Sequence, residues 1–456
     1  MNKRMTSLLI MILGGLLLFP GNLAASDHPL PERLKQSVEA RIQAGEYPAV
    51  VIAFVRGDQA GVYTFGALKD SEAPDADTVF EIGSVTKTFT GLLLADAIVD
   101  RQVTAETPVT DLLPGITLSS RDGKVITLGN LATQHSGLPR LPANLAPADV
   151  RNPYADYDAR QLEAFFDGFT PARAPGARYE YSNLGYGLLG YALARRADTT
   201  YAKLMADRVL APLAMEGTGV NLKDGQAERL APGHDQDGKD AGNWDFDVLA
   251  GAGALKSSGA DMLRYLKANM GVTETALLPA MQMAHKPKAG VGGGNQIGFG
   301  WMTHTANNGK VIWHNGMTGG YASFIGFTDD GERGVVILTN IARSVDDLGF
   351  AALLPEAGPA PASKAVTLSR EALKEYVGHY RLAPGVIFHV TLQGGQLLAQ
   401  LTGQEAYPVF ASDKDEFFYN VVDAQLSFRR NDQGEVNALI LHQNGVDQGA
   451  PKIDGH

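Results

Sequence analysis

The chain of 456 residues contains no cysteine. Disulfides, a thiol nucleophile, zinc sites built on thiolates and a lipid anchor on an N-terminal cysteine are therefore excluded. No serine stands in Gly-x-Ser-x-Gly, so a hydrolase built on a nucleophile elbow is excluded as well. His-Glu-x-x-His, the phosphate-binding loop and the dinucleotide glycine pattern are also missing. Basic side chains are outnumbered, 39 to 50, with no basic run and no aromatic ladder beside one. That argues against a nucleic-acid partner. The ten histidines are scattered without ligand spacing, so no metal and no cofactor is expected. Beyond the first stretch, no apolar run reaches the length of a membrane span.

What is present is the composition of a soluble globular protein, 45% apolar and 20% charged. The N-terminus stands apart. Lys3 and Arg4 precede an apolar stretch from Leu8 to Phe19, and Asn22-Leu23-Ala24-Ala25-Ser26 supplies small residues for cleavage. Residues 1–26 are predicted to be a secretory signal peptide, which implies a secreted or periplasmic protein with no stable membrane span after cleavage.

Periodicity predicts an α+β fold. Leu34, Val38, Ile42 and Ala44 follow a helical period. Val50 to Val55 is an apolar, largely β-branched run expected to be a buried strand, with Gly61 to Gly66 as its hairpin partner. Phe89–Val99, Leu184–Ala194 and Asp261–Met270 are predicted helices, and Lys310–His314, Tyr321–Phe327 and Gly334–Thr339 predicted strands. Strands at both ends of a segment with helices between them predict one antiparallel sheet flanked by helices, beside a helical region. This domain is placed at residues 27–353. A Pro- and Ala-rich linker follows at 354–371. Short strands with Gly turns then predict a small β-barrel or sandwich over 372–456.

Three short motifs carry the chemistry. Ser84-Val85-Thr86-Lys87 stands at the start of a predicted helix, where residues three apart share a face. A lysine whose pKa is depressed by burial or a neighbouring cation can take the proton of a serine hydroxyl. Taken alone, the same four residues also fit a serine N-cap followed by an exposed lysine. Tyr181-Ser182-Asn183 is the second motif. A phenol beside an ammonium is expected to have a lowered pKa and to share the proton work, and an extended backbone would set Tyr181 and Asn183 on one side. The third is His314-Asn315-Gly316-Met317, where glycine lets a substrate lie close to a strand. His135-Ser136-Gly137 competes with it, but falls outside the order of the other motifs and is taken as structural.

In this order the motifs resemble the penicillin-recognising serine hydrolases: class C β-lactamases, D-alanyl-D-alanine carboxypeptidases, D-aminopeptidases and related esterases. The resemblance spans roughly residues 30 to 350. It includes Phe80–Gly83, Ile126–Pro139, Pro175-Gly176 and the Gly-rich stretch from Gly251. It implies a β-lactamase/transpeptidase-like fold, with the C-terminal segment similar to the lipocalin-like barrel that some members append. It implies roles too. Ser84 would carry the acyl group, and Lys87 and Tyr181 would move its proton. Asn183 would orient Lys87 and the substrate amide. The N–H groups of Ser84 and Met317 would form an oxyanion hole, and His314 and Gly316 would hold the far end of the substrate.

His314 departs from the lysine usual in β-lactamases of this class. A partly charged histidine is expected to hold a substrate carboxylate weakly and in a pH-dependent way. The expected partners are small molecules: a β-lactam, a D-amino-acid peptide or an ester. Three readings follow: an amide hydrolase, a carboxylesterase using the same residues, and a penicillin-binding sensor that acylates without turnover.

Overall fold

Val50 to Val55 form the centre of strand β1 (Ala49–Arg56), which is buried on both faces. Successive side chains on a strand point to opposite faces. Val51, Ala53 and Val55 enter one apolar core, and Val50, Ile52 and Phe54 enter another. This is why the run reads as continuously apolar rather than alternating.

A computed structural model of the chain describes residues 30–354 and 366–453, apart from residues 224, 293, 307–308, 367, 384–385, 394, 403–405, 420–423, 432 and 444–445. The predicted signal peptide at 1–26 and most of the predicted linker, 355–365, lie outside the described residues. Of the remaining linker positions, Val366 donates its N–H to the Ala411 carbonyl, and Leu368 packs on the core of the C-terminal barrel.

The main sheet contains β1, β2 (Gln59–Gly66), β5 (Ala289–Gly292), β6 (Asn295–Ile297), β7 (Met302–Ala306), β8 (Gly309–Met317), β9 (Ala322–Thr328) and β10 (Arg333–Thr339). Its eight strands run in the order β2-β1-β10-β9-β8-β7-β6-β5, with antiparallel neighbours throughout. The N-terminal hairpin is thus sealed to the last strand of the domain, as the sequence pattern implied. Strands β5 to β7 were not anticipated. They are short and lie at the sheet edge, where β propensity is a weak signal.

One face of the sheet carries the helices Glu32–Gln43 and Asp346–Leu353. Arg41 joins them: its guanidinium donates to Asp347 and to the Tyr47 hydroxyl. The other face carries the larger core, built around Thr86–Val99, Asn183–Arg196 and Gly259–Asn269. Thr86–Val99 is buried from Thr86 through Asp96, on all sides. A helix that is apolar all round belongs in a core rather than on a surface. A two-stranded ribbon, β3 (Val79–Glu81) with β4 (Lys256–Ser258), lies between sheet and helices and leads into this helix.

The C-terminal strands are β11 (Gly378–Ala383), β12 (Val386–Gln393), β13 (Gln396–Leu401), β14 (Ala406–Asp413), β15 (Glu416–Tyr419), β16 (Ala424–Arg430), β17 (Val436–Gln443) and β18 (Val446–Ile453). They form a closed up-and-down barrel in which β18 returns to β11. Its lining alternates, with Phe388 and Val390, Leu426 and Phe428, and Leu439 and Leu441 turned to the core.

Gly251 marks one contact that positions the site. A Cβ there would fall 2.6 Å from the Tyr186 carbonyl oxygen and 3.0 Å from the Cα of Gly190. Two glycines thus let the turn Ala250–Ala252 lie on the helix Asn183–Arg196. Gly251→Ala is expected to cost about 1–3 kcal/mol by overpacking, measured as a lower urea midpoint for the transition of this domain.

Candidate active site

Ser84 lies in a single 3₁₀ turn, Gly83–Val85, that feeds directly into Thr86–Val99. Its Oγ therefore stands at the positive end of the buried helix. Ile82 before it is held on two sides: its N–H donates to the Leu255 carbonyl, and its carbonyl accepts from the Ser323 hydroxyl.

Lys87 sits one turn further on, with 0% of its surface exposed. The serine cap with an exposed lysine is therefore not what forms, and no side-chain cap bond is made at this helix start. Nζ lies 3.0 Å from Ser84 Oγ, 2.9 Å from Asn183 Oδ1 and 2.7 Å from the Ala252 carbonyl oxygen. The ring centroids of Tyr181 and Tyr186 stand 4.8 and 5.7 Å away. Burial, and after it the charge of Arg140, holds the Lys87 amine well below its ordinary pKa. That is the condition under which this amine can act as a base.

Tyr181 donates its hydroxyl to Ser84 Oγ at 2.7 Å. Burial pushes its phenol up to about 12, against the opposing pull of the Ser84 hydrogen bond and Arg140. The expected lowering of this pKa is corrected here: desolvation outweighs the nearby cation, and Tyr181 is a proton donor at neutral pH. Ser182 is extended and caps the next helix, accepting from Gly185 N–H and donating to the Pro139 carbonyl. Tyr181 and Asn183 flank this extended residue, and both reach the Ser84–Lys87 pair. Gln134 clamps the same segment, its side-chain oxygen accepting from Ser182 N–H and its carbonyl from Glu180 N–H. His135, next in sequence, turns Nδ1 to the Thr133 carbonyl and makes no bond to the cluster around Ser84.

The third motif ends strand β8. A Cβ on Gly316 would fall 2.1 Å from the Ile82 carbonyl oxygen and 3.0 Å from Ser84 N. A Cβ on Gly83 would fall 2.8 Å from Met317 N. The strand end and the nucleophile turn are therefore in backbone contact, which glycine alone permits. His314 is buried, and its Nδ1–H donates to the Asn315 carbonyl at 2.5 Å. Burial, then repulsion from Lys87, lowers its pKa to about 3. His314 is neutral near pH 7. The partly charged, pH-dependent histidine expected from its ordinary titration is thus corrected.

Several participants left no sequence signal. The Ala252 carbonyl is backbone. The Tyr154 hydroxyl accepts weakly from Asn183 Nδ2 at 3.4 Å, and its ring stacks on Phe246 and meets Trp244 edge-on. Arg140 follows Pro139 directly and places its guanidinium 5.3 Å from the Tyr181 ring centroid. Among the described residues, no group of three His, Asp or Glu side chains is placed to hold a metal, and no helix is long and apolar enough to cross a membrane.

The beta-lactamase family model matches residues 34–355, and a second model, a domain of unknown function (DUF3471), matches residues 362–452. A beta-lactamase from Pseudomonas fluorescens is 27% identical over 339 residues, which covers 67% of this chain and 91% of its own. One from Escherichia coli (strain K12) is 26% identical over 352 residues, covering 69% and 90%. Among solved structures, a class C beta-lactamase matches with a TM-score of 0.62 at 23% identity, covering 70% of this chain and 94% of its own. A D-alanine carboxypeptidase from Burkholderia cenocepacia gives 0.60 at 24%, covering 70% and 96%. At such identity the structural likeness speaks for the fold. The family match runs from the helix before β1 to the end of the helix Asp346–Leu353, and by it the chain belongs to the beta-lactamase family of serine hydrolases.

Proposed function

We propose that this chain is an exported serine hydrolase that opens an amide bond, in a β-lactam ring or a D-alanyl peptide, through an acyl-enzyme on Ser84. The observation that carries the proposal is the bridging of Ser84 Oγ by Lys87 Nζ at 3.0 Å and the Tyr181 hydroxyl at 2.7 Å. The beta-lactamases and D-alanine carboxypeptidase among its relatives support the substrate class, and the leader-like sequence of residues 1–26 supports export.

Ser84 attacks the carbonyl carbon while Lys87 accepts the hydroxyl proton. The oxyanion that forms is held by the backbone N–H groups of Ser84 and Met317, a contribution of roughly 3–4 kcal/mol per donor. Tyr181 gives its proton to the departing nitrogen and regains one from Lys87. Asn183 keeps the Lys87 amine aimed at Ser84. Water then takes the place of the leaving group, and the same proton path runs in reverse to free the acid product. His314, neutral and with Nδ1 committed to the backbone, offers only hydrogen bonding to the far end of the substrate. That observation favours a second reading, a carboxylesterase using the same residues, because an ester needs no charged anchor there.

Ser84→Ala is expected to lower turnover of amide and ester substrates on the order of 10⁴-fold or more, and to abolish the acyl mass adduct seen with the wild type by mass spectrometry. Unchanged turnover would sink the proposal. A long-lived adduct without product release would instead point to a non-hydrolysing sensor.

The pH profile of kcat/KM has a worked sign. Lys87 must be neutral to accept the proton, so activity falls as pH drops through its lowered pKa. Tyr181 must stay protonated, so the alkaline limb lies high, toward about 12. His314 stays neutral across this range, so His314→Gln is expected to leave the acid limb where it is. A limb that moves with that substitution would contradict the assignment. Lys87→Arg, which stays charged, is expected to cost about 10²–10⁴-fold at every pH.

A further inference from the structure

Arg140 is an exposed cation at this site, and beyond its effect on the Lys87 amine and the Tyr181 phenol the roles assigned to Ser84, Lys87 and Tyr181 do not use it. Its backbone is fixed: the Arg140 carbonyl accepts from Asn183 N–H at 3.0 Å and Leu184 N–H at 3.2 Å. The preceding Pro139 carbonyl accepts from the Ser182 hydroxyl at 2.6 Å. The turn that carries the guanidinium is therefore tied to the turn that carries Tyr181 and Asn183.

The side chain is exposed, and its guanidinium lies over the face of the Tyr181 ring, 5.3 Å from guanidinium carbon to centroid. Glu180, beside Tyr181 in sequence, is already paired with Arg173, and Asp149, the acidic residue nearest to Arg140 in sequence, is paired with Arg151. Among the described residues no carboxylate pairs with Arg140, whereas Arg41, Arg208, Arg264 and Arg430 each hold one. An unpaired guanidinium presents a planar fork of donors that matches a carboxylate. It stands one phenol ring from Ser84 Oγ. The chain as a whole is acidic, with a net charge of −11, so an exposed cation beside Tyr181 is a local focus for anions. His314, buried and neutral, does not supply one.

We propose that Arg140 is a specificity-determining residue that receives a carboxylate of the substrate beside Tyr181, in place of a charged anchor at position 314. This rests on Ser84 being the nucleophile.

The test uses the purified full-length chain and two pairs of esters that differ by one carboxylate. 4-Nitrophenyl butyrate and mono-4-nitrophenyl glutarate place it on the acyl side. Phenyl acetate and 3-acetoxybenzoate place it on the leaving group. Arg140→Ala is expected to raise KM for the anionic member of one pair by about tenfold or more relative to its neutral partner, any effect through the Lys87 amine being common to both members. Arg140→Lys should restore part of the loss, because the charge remains and the fork does not. An equal change in both members of each pair, or none, overturns the assignment. In that case Arg140 acts on Lys87 or on packing alone. Hydrolysis that survives Ser84→Ala contradicts the reading of the site, separately from the role of Arg140. Ligand-observed NMR of N-acetyl-D-alanine and its neutral amide reads the same contrast without turnover. Weaker binding of the acid alone in Arg140→Ala supports the proposal, and unchanged binding of the acid overturns it.

Discussion

The amine of Lys87 is buried completely, and taking a charged ammonium out of water costs several kcal/mol unless it is neutralised or paired. Among the described residues no carboxylate pairs with it. Its hydrogen-bonding neighbours are three neutral oxygens, on Ser84, Asn183 and the Ala252 backbone, with two tyrosine rings beside them. Such a shell can satisfy the amine without holding a proton on it, and that balance is what a base beside a serine requires. The architecture of the domain serves this one nitrogen. The helix Thr86–Val99, buried from Thr86 through Asp96, keeps it dry, the Gly190–Gly251 contact delivers Ala252, and the Ser182 cap delivers Asn183.

The tyrosine and the histidine follow the same rule with different outcomes. Desolvation disfavours whichever form is charged. It keeps Tyr181 protonated, so the phenol donates, and it keeps His314 deprotonated, so the imidazole is neutral. Proximity to a cation, the feature visible along the chain, ranks below burial in both.

This explains what was legible in the sequence and what was not. The central strands were legible because Val50–Val55 and Gly334–Thr339 are apolar on two faces. The cluster around Ser84 was legible because Ser84, Lys87, Tyr181 and Asn183 meet through side chains that stand in short motifs. The Ala252 carbonyl was not, since every residue carries one. Arg140 was not, because an arginine in a loop is ordinary until its neighbours are known. In the barrel, β12, β13 and β17 announced themselves by apolar spacing, whereas β14 and β18 carry Pro408 and Pro451, which weaken a strand pattern. A chain of side chains on the barrel, Glu416–Ser427–His442–Asp447, has the atom order of a serine triad. Ser427 lies mid-strand with ladder partners on both sides, Glu416 and Ile440, so no free backbone donors face it. Its physical role is to tie neighbouring strands together.

The seam between β1 and β10 has a consequence for how the protein comes into being. Ala49 accepts a hydrogen bond from the Thr339 hydroxyl across a sequence gap of 290 residues. A ribosome must synthesise almost the whole domain before the edge of β1 finds its partner. Until then, one of the most apolar strands in the chain has an open edge, available to any other chain. Closure over such a gap is slow, because its entropy must be met before any contact rewards it. Production of the protein is therefore governed less by its final stability than by how well the nascent chain is shielded during that interval.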